Sequence, residues 1–218
     1  MIIYFLVKAY ILVYKIYLLL NDCFGDGFLV LEEIRLHGRG GQGVVLCGEL
    51  IALAALYDGK FSRAFPWFGI ARRGAPVVAF VVIGEKDEIT RSMVYNPKYV
   101  MVLDPTLHKV LPTVTQGIRE GGVYLQNTAK NPRELLGELN INIKLSVVAT
   151  VDATKIAIDI LGKPIPNTVM LGAFCKVTKL VTLDSALKAI EHRFPPGDVD
   201  KNKECARLGY EQVKVEVL

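Results

Sequence analysis

The sequence predicts an α/β fold: a single Rossmann-like domain with a mostly parallel sheet and helices on both faces. Three observations predict it. From Glu32 onward, short apolar runs alternate with longer segments of helical period, the pattern of buried strands covered by helices. A glycine-rich turn, Gly38-Arg39-Gly40-Gly41-Gln42-Gly43, stands between the first such run and the first helical segment. No internal repeat, linker or low-complexity tract divides the 218 residues, a length that suits one domain of about 100–200 residues with an extension.

The elements follow in order. Ile34–His37 reads as the first strand, and a helix runs from about Gly43 to Tyr57, ended by Asp58-Gly59. A short strand at Phe61–Phe65 stops at Pro66. Val77–Ile83 is a nearly unbroken β-branched run, and Tyr99–Leu103 and Val123–Gln126 are further buried strands. Leu145–Ala149 is expected to be the last strand. Helices are expected at Thr106–Glu120, Ala153–Leu161, Val169–Thr178 and Ser185–Phe194, with a charged one at Asp198–Gln212 after the Pro195-Pro196-Gly197 break.

Composition narrows the function classes. The chain is 51% hydrophobic and 22% charged, so it can bury a core, and disorder, collagen-like repeats and coiled coil fit poorly. A formal charge of +4 suits an anionic small molecule or an acidic protein partner. No cluster of Lys and Arg with interleaved aromatics marks a nucleic-acid surface. Cys23, Cys47, Cys175 and Cys205 are scattered with no CxxC pair, so local spacing encodes neither a zinc ribbon nor an iron–sulfur cluster. Free thiols in a reducing cytoplasm are expected, and no metal ligand set is assigned.

Residues 1–20 are apolar except for Lys8 and Lys15, which meets the length of about 20 residues that a membrane-spanning helix needs. The two lysines and the Tyr and β-branched content weigh against a span, and no small-residue cleavage site marks a secretory signal. Another explanation lies in the gene. Gly25-Asp26 can be encoded by a purine-rich ribosome-binding sequence, and Leu29, Val30 and Leu31 follow where UUG or GUG start codons would stand. The expectation is therefore an N-terminal extension, 1–28, that is either translated leader or a hydrophobic segment, and a globular domain, 29–218.

The clearest chemical signal is the turn itself. Its glycines permit left-handed dihedrals and close approach of backbone N–H groups, and the helix it opens offers unpaired donors and a partial positive charge. An anion belongs there, with Arg39 able to contact a phosphate oxygen and Gln42 able to add a neutral hydrogen bond. A tight turn required for packing alone is the competing reading. As GxGxxG, Gly38, Gly40 and Gly43 also match the dinucleotide fingerprint. That fingerprint needs an acid about 20 residues on, at the end of the second strand. Asp58 has the distance but precedes the strand, which carries Arg63 instead. The Lys-Ser/Thr of a P-loop is missing too.

A second signal is Phe65-Pro66-Trp67-Phe68-Gly69-Ile70-Ala71-Arg72-Arg73-Gly74-Ala75-Pro76. Arg72 and Arg73, beside a buried strand, should face an anion, a carboxylate or a partner surface; the aromatic run before them is core or a contact patch. Asn127-Thr128 follows a strand at its carboxyl end, where open α/β sheets bind ligands, yet Asn-Thr equally caps a helix. His37 either touches a phosphate or is a hydrogen-bonded structural residue. His108 and His192 read as surface groups, and Cys175 as core. The small residues Gly172 and Ala173 permit close packing of their helix.

The combination Arg35-Leu36-His37-Gly38-Arg39-Gly40-Gly41-Gln42-Gly43-Val44-Val45, Phe65-Pro66, Arg72-Arg73-Gly74-Ala75-Pro76-Val77 with Phe80, Asn127-Thr128 and Asn167-Thr168-Val169-Met170-Leu171-Gly172-Ala173 resembles the gamma subunit of pyruvate:ferredoxin oxidoreductase (pyruvate synthase) and related 2-oxoacid:ferredoxin oxidoreductases. The likeness runs from about Leu31 to Gly209-Tyr210, and residues 1–28 depart from the family pattern. It implies a complex that interconverts pyruvate plus coenzyme A with acetyl-CoA plus carbon dioxide, using ferredoxin. Thiamine diphosphate with Mg, and the iron–sulfur clusters, belong in that family to partner subunits, alpha, beta and the ferredoxin-like delta. On this resemblance the Gly38–Gly43 loop would help to hold coenzyme A, with Arg39 or Arg63 nearby. Arg72 and Arg73 would complete that site or bind a neighbouring subunit. No side chain of this chain needs to be catalytic. A stand-alone nicotinamide enzyme and a membrane-anchored interaction domain are the other function classes.

Overall fold

The computed structural model describes residues 31–67, 74–84 and 93–218. The expectations for a membrane span, a translated leader, Cys23, Arg72 and Arg73 lie outside the described residues. Those described belong to one compact unit, Leu31–Leu218.

The strands are β1 (Glu32–Arg39), β2 (Phe61–Trp67), β3 (Pro76–Gly84), β4 (Tyr99–Val102), β5 (Val123–Asn127), β6 (Val147–Val151) and β7 (Lys214–Val217). The helices are α1 (Val44–Tyr57), α2 (Leu107–Val110), α3 (Pro132–Glu138), α4 (Ala153–Leu161), α5 (Asn167–Thr178), α6 (Leu183–Arg193) and α7 (Pro196–Gln212). One sheet holds the strands in the order β2-β3-β1-β4-β5-β6-β7. β1, β4, β5 and β6 are parallel neighbours, whereas β3 pairs antiparallel with β1 and β2, and β7 antiparallel with β6. Five strands thus point one way, as a mostly parallel sheet requires.

Apolar side chains from both faces of the sheet are buried. Ile34, Leu36, Val81, Met101 and Leu125 pack with α1 and α4 to α7, whereas Val100, Val102, Tyr124 and Val148 pack with α2 and α3. Central strands buried on both faces explain why β1, β3, β4 and β5 read as apolar runs rather than alternating ones. At the crossing of α5 and α7 the two backbones approach closely. A Cβ built on Gly172 would stand 1.8 Å from the Ala206 carbonyl oxygen, and one on Gly209 2.0 Å from that of Val169. The close packing expected at Gly172 is therefore present.

Several sequence expectations need correction. β2 continues through Pro66 to Trp67, because β2 is an edge strand and a missing N–H on its open side costs no ladder bond. The helix expected over Thr106–Glu120 is broken: α2 ends at Val110, a 3₁₀ turn follows at Pro112–Val114, and Gly117 takes φ 75°. Leu145–Ala149 is shifted to Val147–Val151 and is not the last strand, since Lys214–Val217 adds β7 beside it. The short helix α3 was not expected; its N-cap Asn131 donates its N–H to Glu134 Oε2 at 3.2 Å, one half of a capping box.

Candidate functional site

In this sheet the winding reverses at β1. The chain leaves β1 through α1 for β2 and β3 on one side, and then returns to β4 on the other. Such a reversal opens a crevice beyond the carboxyl ends of the two central strands, where open α/β sheets hold ligands. The glycine turn closes β1 at that edge, and Asp104 stands just past the end of β4.

The turn is built by its own backbone and by the chain leading into β3. Gly40 donates its N–H to Ala75 O at 2.9 Å and accepts from Gly74 N at 3.1 Å, and Gln42 N donates to Arg39 O at 3.1 Å. Gly41 and Gly43 have φ of 101° and 75°, values that disfavour any side chain. At Gly43 a Cβ would also fall 2.5 Å from Asn167 Nδ2. Gly43 caps α1 without a side-chain hydrogen bond, and the first turn carries no acid. The donors at the start of this 14-residue helix are therefore left for a ligand or water.

Beneath the turn, Asp104 gathers the polar side chains. Its Oδ1 accepts from Thr106 Oγ1 at 2.6 Å and Thr106 N at 3.0 Å, and its Oδ2 accepts from Gln42 Nε2 at 2.9 Å. Arg39 Nε lies 3.3 Å from the same Oδ2. Arg39 also donates to Gly74 O at 3.2 Å and Thr106 Oγ1 at 3.4 Å, and Gln42 Oε1 accepts from Arg39 N at 2.7 Å. Burial would push the Asp104 carboxyl upward, but the Thr106 and Gln42 hydrogen bonds and the Arg39 charge outweigh it, so it is held below the usual range.

A cavity of about 860 Å³ opens over the turn. Gly40, Gly41, Gly43 and the first turn of α1 form one wall. Lys163 and Ile165 from the α4–α5 connection, Asn167 from the start of α5, Arg193 from the end of α6, and Lys201 and Asn202 from α7 complete the lining. Its ionic lining is four cations, Arg39, Lys163, Arg193 and Lys201, against Glu49 and Asp198. Arg193 Nε sits 3.5 Å from Glu49 Oε2. The lining is therefore mostly cationic among its charged groups, with an apolar flank supplied by Val44, Val45, Leu161 and Phe194.

The other sequence candidates are placed differently. Arg63 projects from β2, two strands from β1, and does not line this cavity. Gln42 has both ends of its amide engaged within the turn and with Asp104. Asn127 is buried and fastens β5 to α4: its Nδ2 donates to Leu103 O and Thr154 Oγ1, each at 2.7 Å, and its Oδ1 accepts from Thr154 N at 3.1 Å. Thr128 N donates to Val151 O, and Thr128 Oγ1 accepts from Lys130 N. Arg72 and Arg73 are not described, but Gly74 and Ala75 directly after them are hydrogen bonded to Gly40.

His37 is structural. It is buried and accepts from Arg35 Nε at 3.0 Å. His108 is a correction: its side chain is only 2% exposed, 3.5 Å from Glu138 Oε2, because the short α2 turns it inward. Asp58, the acid at dinucleotide spacing, is occupied elsewhere. It accepts from Thr182 N and Oγ1, both at 2.7 Å, and from Ser185 Oγ at 2.6 Å. It therefore caps α6 at the far end of α1, roughly 20 Å of helix from the turn. The thiols of Cys47, Cys175 and Cys205 are buried, and burial pushes Cys47 up to about 12. Among the described residues no three His, Cys, Asp or Glu side chains gather into a metal site.

Sequence reasoning missed Asp104, Thr106, Lys163, Arg193 and Lys201. The position rule that singled out Asn127-Thr128 applies equally to Asp104, directly after β4 and Leu103. The three cavity cations have no local signal, because they come from separate parts of the chain and meet only in the fold.

Known proteins match most of the described chain. The family model for pyruvate ferredoxin/flavodoxin oxidoreductase matches residues 33–212. Pyruvate synthase subunit PorC of Methanothermobacter marburgensis is 50% identical over 182 residues, 84% of this chain and 97% of that protein. The pyruvate/ketoisovalerate oxidoreductases common subunit gamma of Pyrococcus abyssi is 44% identical over 183 residues, 84% of this chain and 97% of its own. The crystal structure of pyruvate oxidoreductase subunit PORC from Thermotoga maritima superposes with a TM-score of 0.74 at 41% identity, covering 85% of this chain and 98% of that one. The chain belongs to the pyruvate ferredoxin/flavodoxin oxidoreductase family, aligning with the subunits named gamma or PorC.

Proposed function

We propose that this chain is the gamma subunit of a pyruvate (2-oxoacid):ferredoxin oxidoreductase, and that its own share of the work is to hold coenzyme A and to help assemble the complex. The reaction interconverts pyruvate plus coenzyme A with acetyl-CoA plus carbon dioxide, with ferredoxin as electron partner. The observation that carries the coenzyme A assignment is the 860 Å³ cavity, which joins the uncapped start of α1 to four cations and an apolar flank. A long ligand with phosphates at one end and an uncharged arm suits such a lining. The phosphates would accept from the first-turn amides of α1 and from Arg39, Lys163 or Lys201, and the pantetheine arm would lie along the apolar side chains.

Thiamine diphosphate with Mg, and iron–sulfur clusters, supply carbanion and electron chemistry from the alpha, beta and ferredoxin-like delta subunits. This chain would bind and orient, with no nucleophile or base of its own. A cytoplasmic complex is the matching location; among the described residues no helix is long and apolar enough to cross a membrane. The nicotinamide reading loses support because Asp58 caps α6. In the assembled enzyme, Arg39→Ala should raise the KM for coenzyme A and leave that for the 2-oxoacid unchanged. An unchanged KM for coenzyme A with normal assembly contradicts the assignment.

A further inference from the structure

We infer that Asp104 is a positioning residue for coenzyme A, acting through Arg39 and Gln42 to fix the shape of the glycine turn. The inference rests on the coenzyme A reading above and names a residue that never needs to touch the ligand.

The geometry is a relay. Thr106 sets the carboxylate, holding Oδ1 through both its N–H and its hydroxyl. Oδ2 is thereby aimed at two donors from the turn, Gln42 Nε2 at 2.9 Å and Arg39 Nε at 3.3 Å. Gln42 passes the constraint on, because its Oε1 takes the Arg39 backbone N–H at 2.7 Å. Gly38 makes room for this: a Cβ there would lie 2.5 Å from Val44 Cγ2 and 3.0 Å from Gln42 Oε1. One carboxylate thus fixes a side chain at each end of the turn; with Gly74 O and Thr106 Oγ1 each taking one Nη–H, two N–H groups of the guanidinium remain for a ligand.

Two effects of Asp104 on an anion oppose each other. Its charge lowers the positive potential of Arg39, whereas its hydrogen bonds hold the turn in a receptive form. Orientation should win. Asp104 is 7% exposed, so an amide in its place cannot swing out to water, and the half-buried Gln42 Nε2 is left facing another NH₂. In Asp104→Asn, the Thr106 hydrogen bonds can keep the amide oxygen, which points the new NH₂ at two donors. Binding then weakens although the site gains a positive charge.

The test is steady-state kinetics on the assembled complex. Asp104→Asn should raise the KM for coenzyme A about tenfold, the scale of losing a hydrogen bond to a charged group, with kcat and the KM for the 2-oxoacid unchanged. Combined with Arg39→Ala, its effect should be smaller than the product of the two single effects. An unchanged or lowered KM for coenzyme A in Asp104→Asn overturns the inference, as does an equal fall in kcat or full additivity. If Arg39→Ala raises that KM and Asp104→Asn does not, only the relay falls. If Arg39→Ala does not raise it, the coenzyme A reading falls and the relay with it. Should Asp104→Asn fail to assemble, Thr106→Val replaces it: a severalfold rise in the same KM supports the relay, and no rise overturns it.

Discussion

Arg35 donates Nε–H to His37 Nε2 across 3.0 Å, between two buried side chains on the same face of β1. The accepting ring nitrogen carries no proton, so His37 is neutral. Arg35 has no carboxylate in this contact; its Nη2 donates to Thr113 O at 3.0 Å and Gln116 O at 2.5 Å, tying β1 to the turn that follows α2. Burial, with the Arg35 charge adding to it, lowers the His37 pKa from 6.5 to about 3.

This relationship predicts a pH window for stability. The unfolded His37 takes a proton below pH 6.5, and the folded one resists until about pH 3. The His37 contribution is therefore complete above 6.5 and declines as pH falls toward 3, at roughly 1.4 kcal/mol per pH unit. Urea unfolding at pH 6.5 and pH 5 should show a loss of about 2 kcal/mol that His37→Gln, which keeps an acceptor for Arg35, does not share. Equal losses in the two proteins would show that His37 does not set this slope.

At the α5–α7 crossing, added atoms should be expensive. Gly172→Ala or Gly209→Ala would drive a methyl group into a backbone carbonyl, which cannot yield as a side-chain end can. Each should destabilise the subunit by about 2–3 kcal/mol. The two should not add fully, because both relieve themselves by spreading the same helix pair. Chemical denaturation of the single and double variants measures this.

Asp58 separates structural from ligand roles among the acids. Asp58→Ala removes three hydrogen bonds at the start of α6 and should cost about 1–2 kcal/mol. The KM for coenzyme A should not change, since the cap is at the opposite end of α1 from the turn. A large change in that KM would place Asp58 in the ligand site instead.

How much of this could be read from the chain alone depended on whether the signal was local. β1, the glycine turn and α1 were legible, because an apolar run, glycines and a helical period stand next to one another. β3, β4 and β5 were legible because strands buried on both faces are continuously apolar. β7 was not: Lys-Val-Glu-Val is short and half polar, and it becomes a strand only by pairing with β6. Pro112 was the visible sign that Thr106–Glu120 could not be one helix. At the site, the glycines and Arg39 were legible, whereas Lys163, Arg193 and Lys201 are brought together only by the packing of α4 to α7. Asn127-Thr128 stood at the right end of the sheet, but β5 is beyond β4 from the turn, so its polar groups fasten the sheet to α4.

If coenzyme A phosphates sit at the start of α1, a carboxylate placed there should repel them. Val45, in the first helical turn and on the cavity wall, is changed to Asp, and coenzyme A is titrated calorimetrically into the assembled complex. An acid in the first turn favours the helix by about 0.3–1 kcal/mol but repels a phosphate, so stability and affinity should move apart. The thermal midpoint should be unchanged or higher, with the Kd for coenzyme A raised at least about tenfold. An unchanged Kd in a normally assembled complex would contradict that placement of the phosphates.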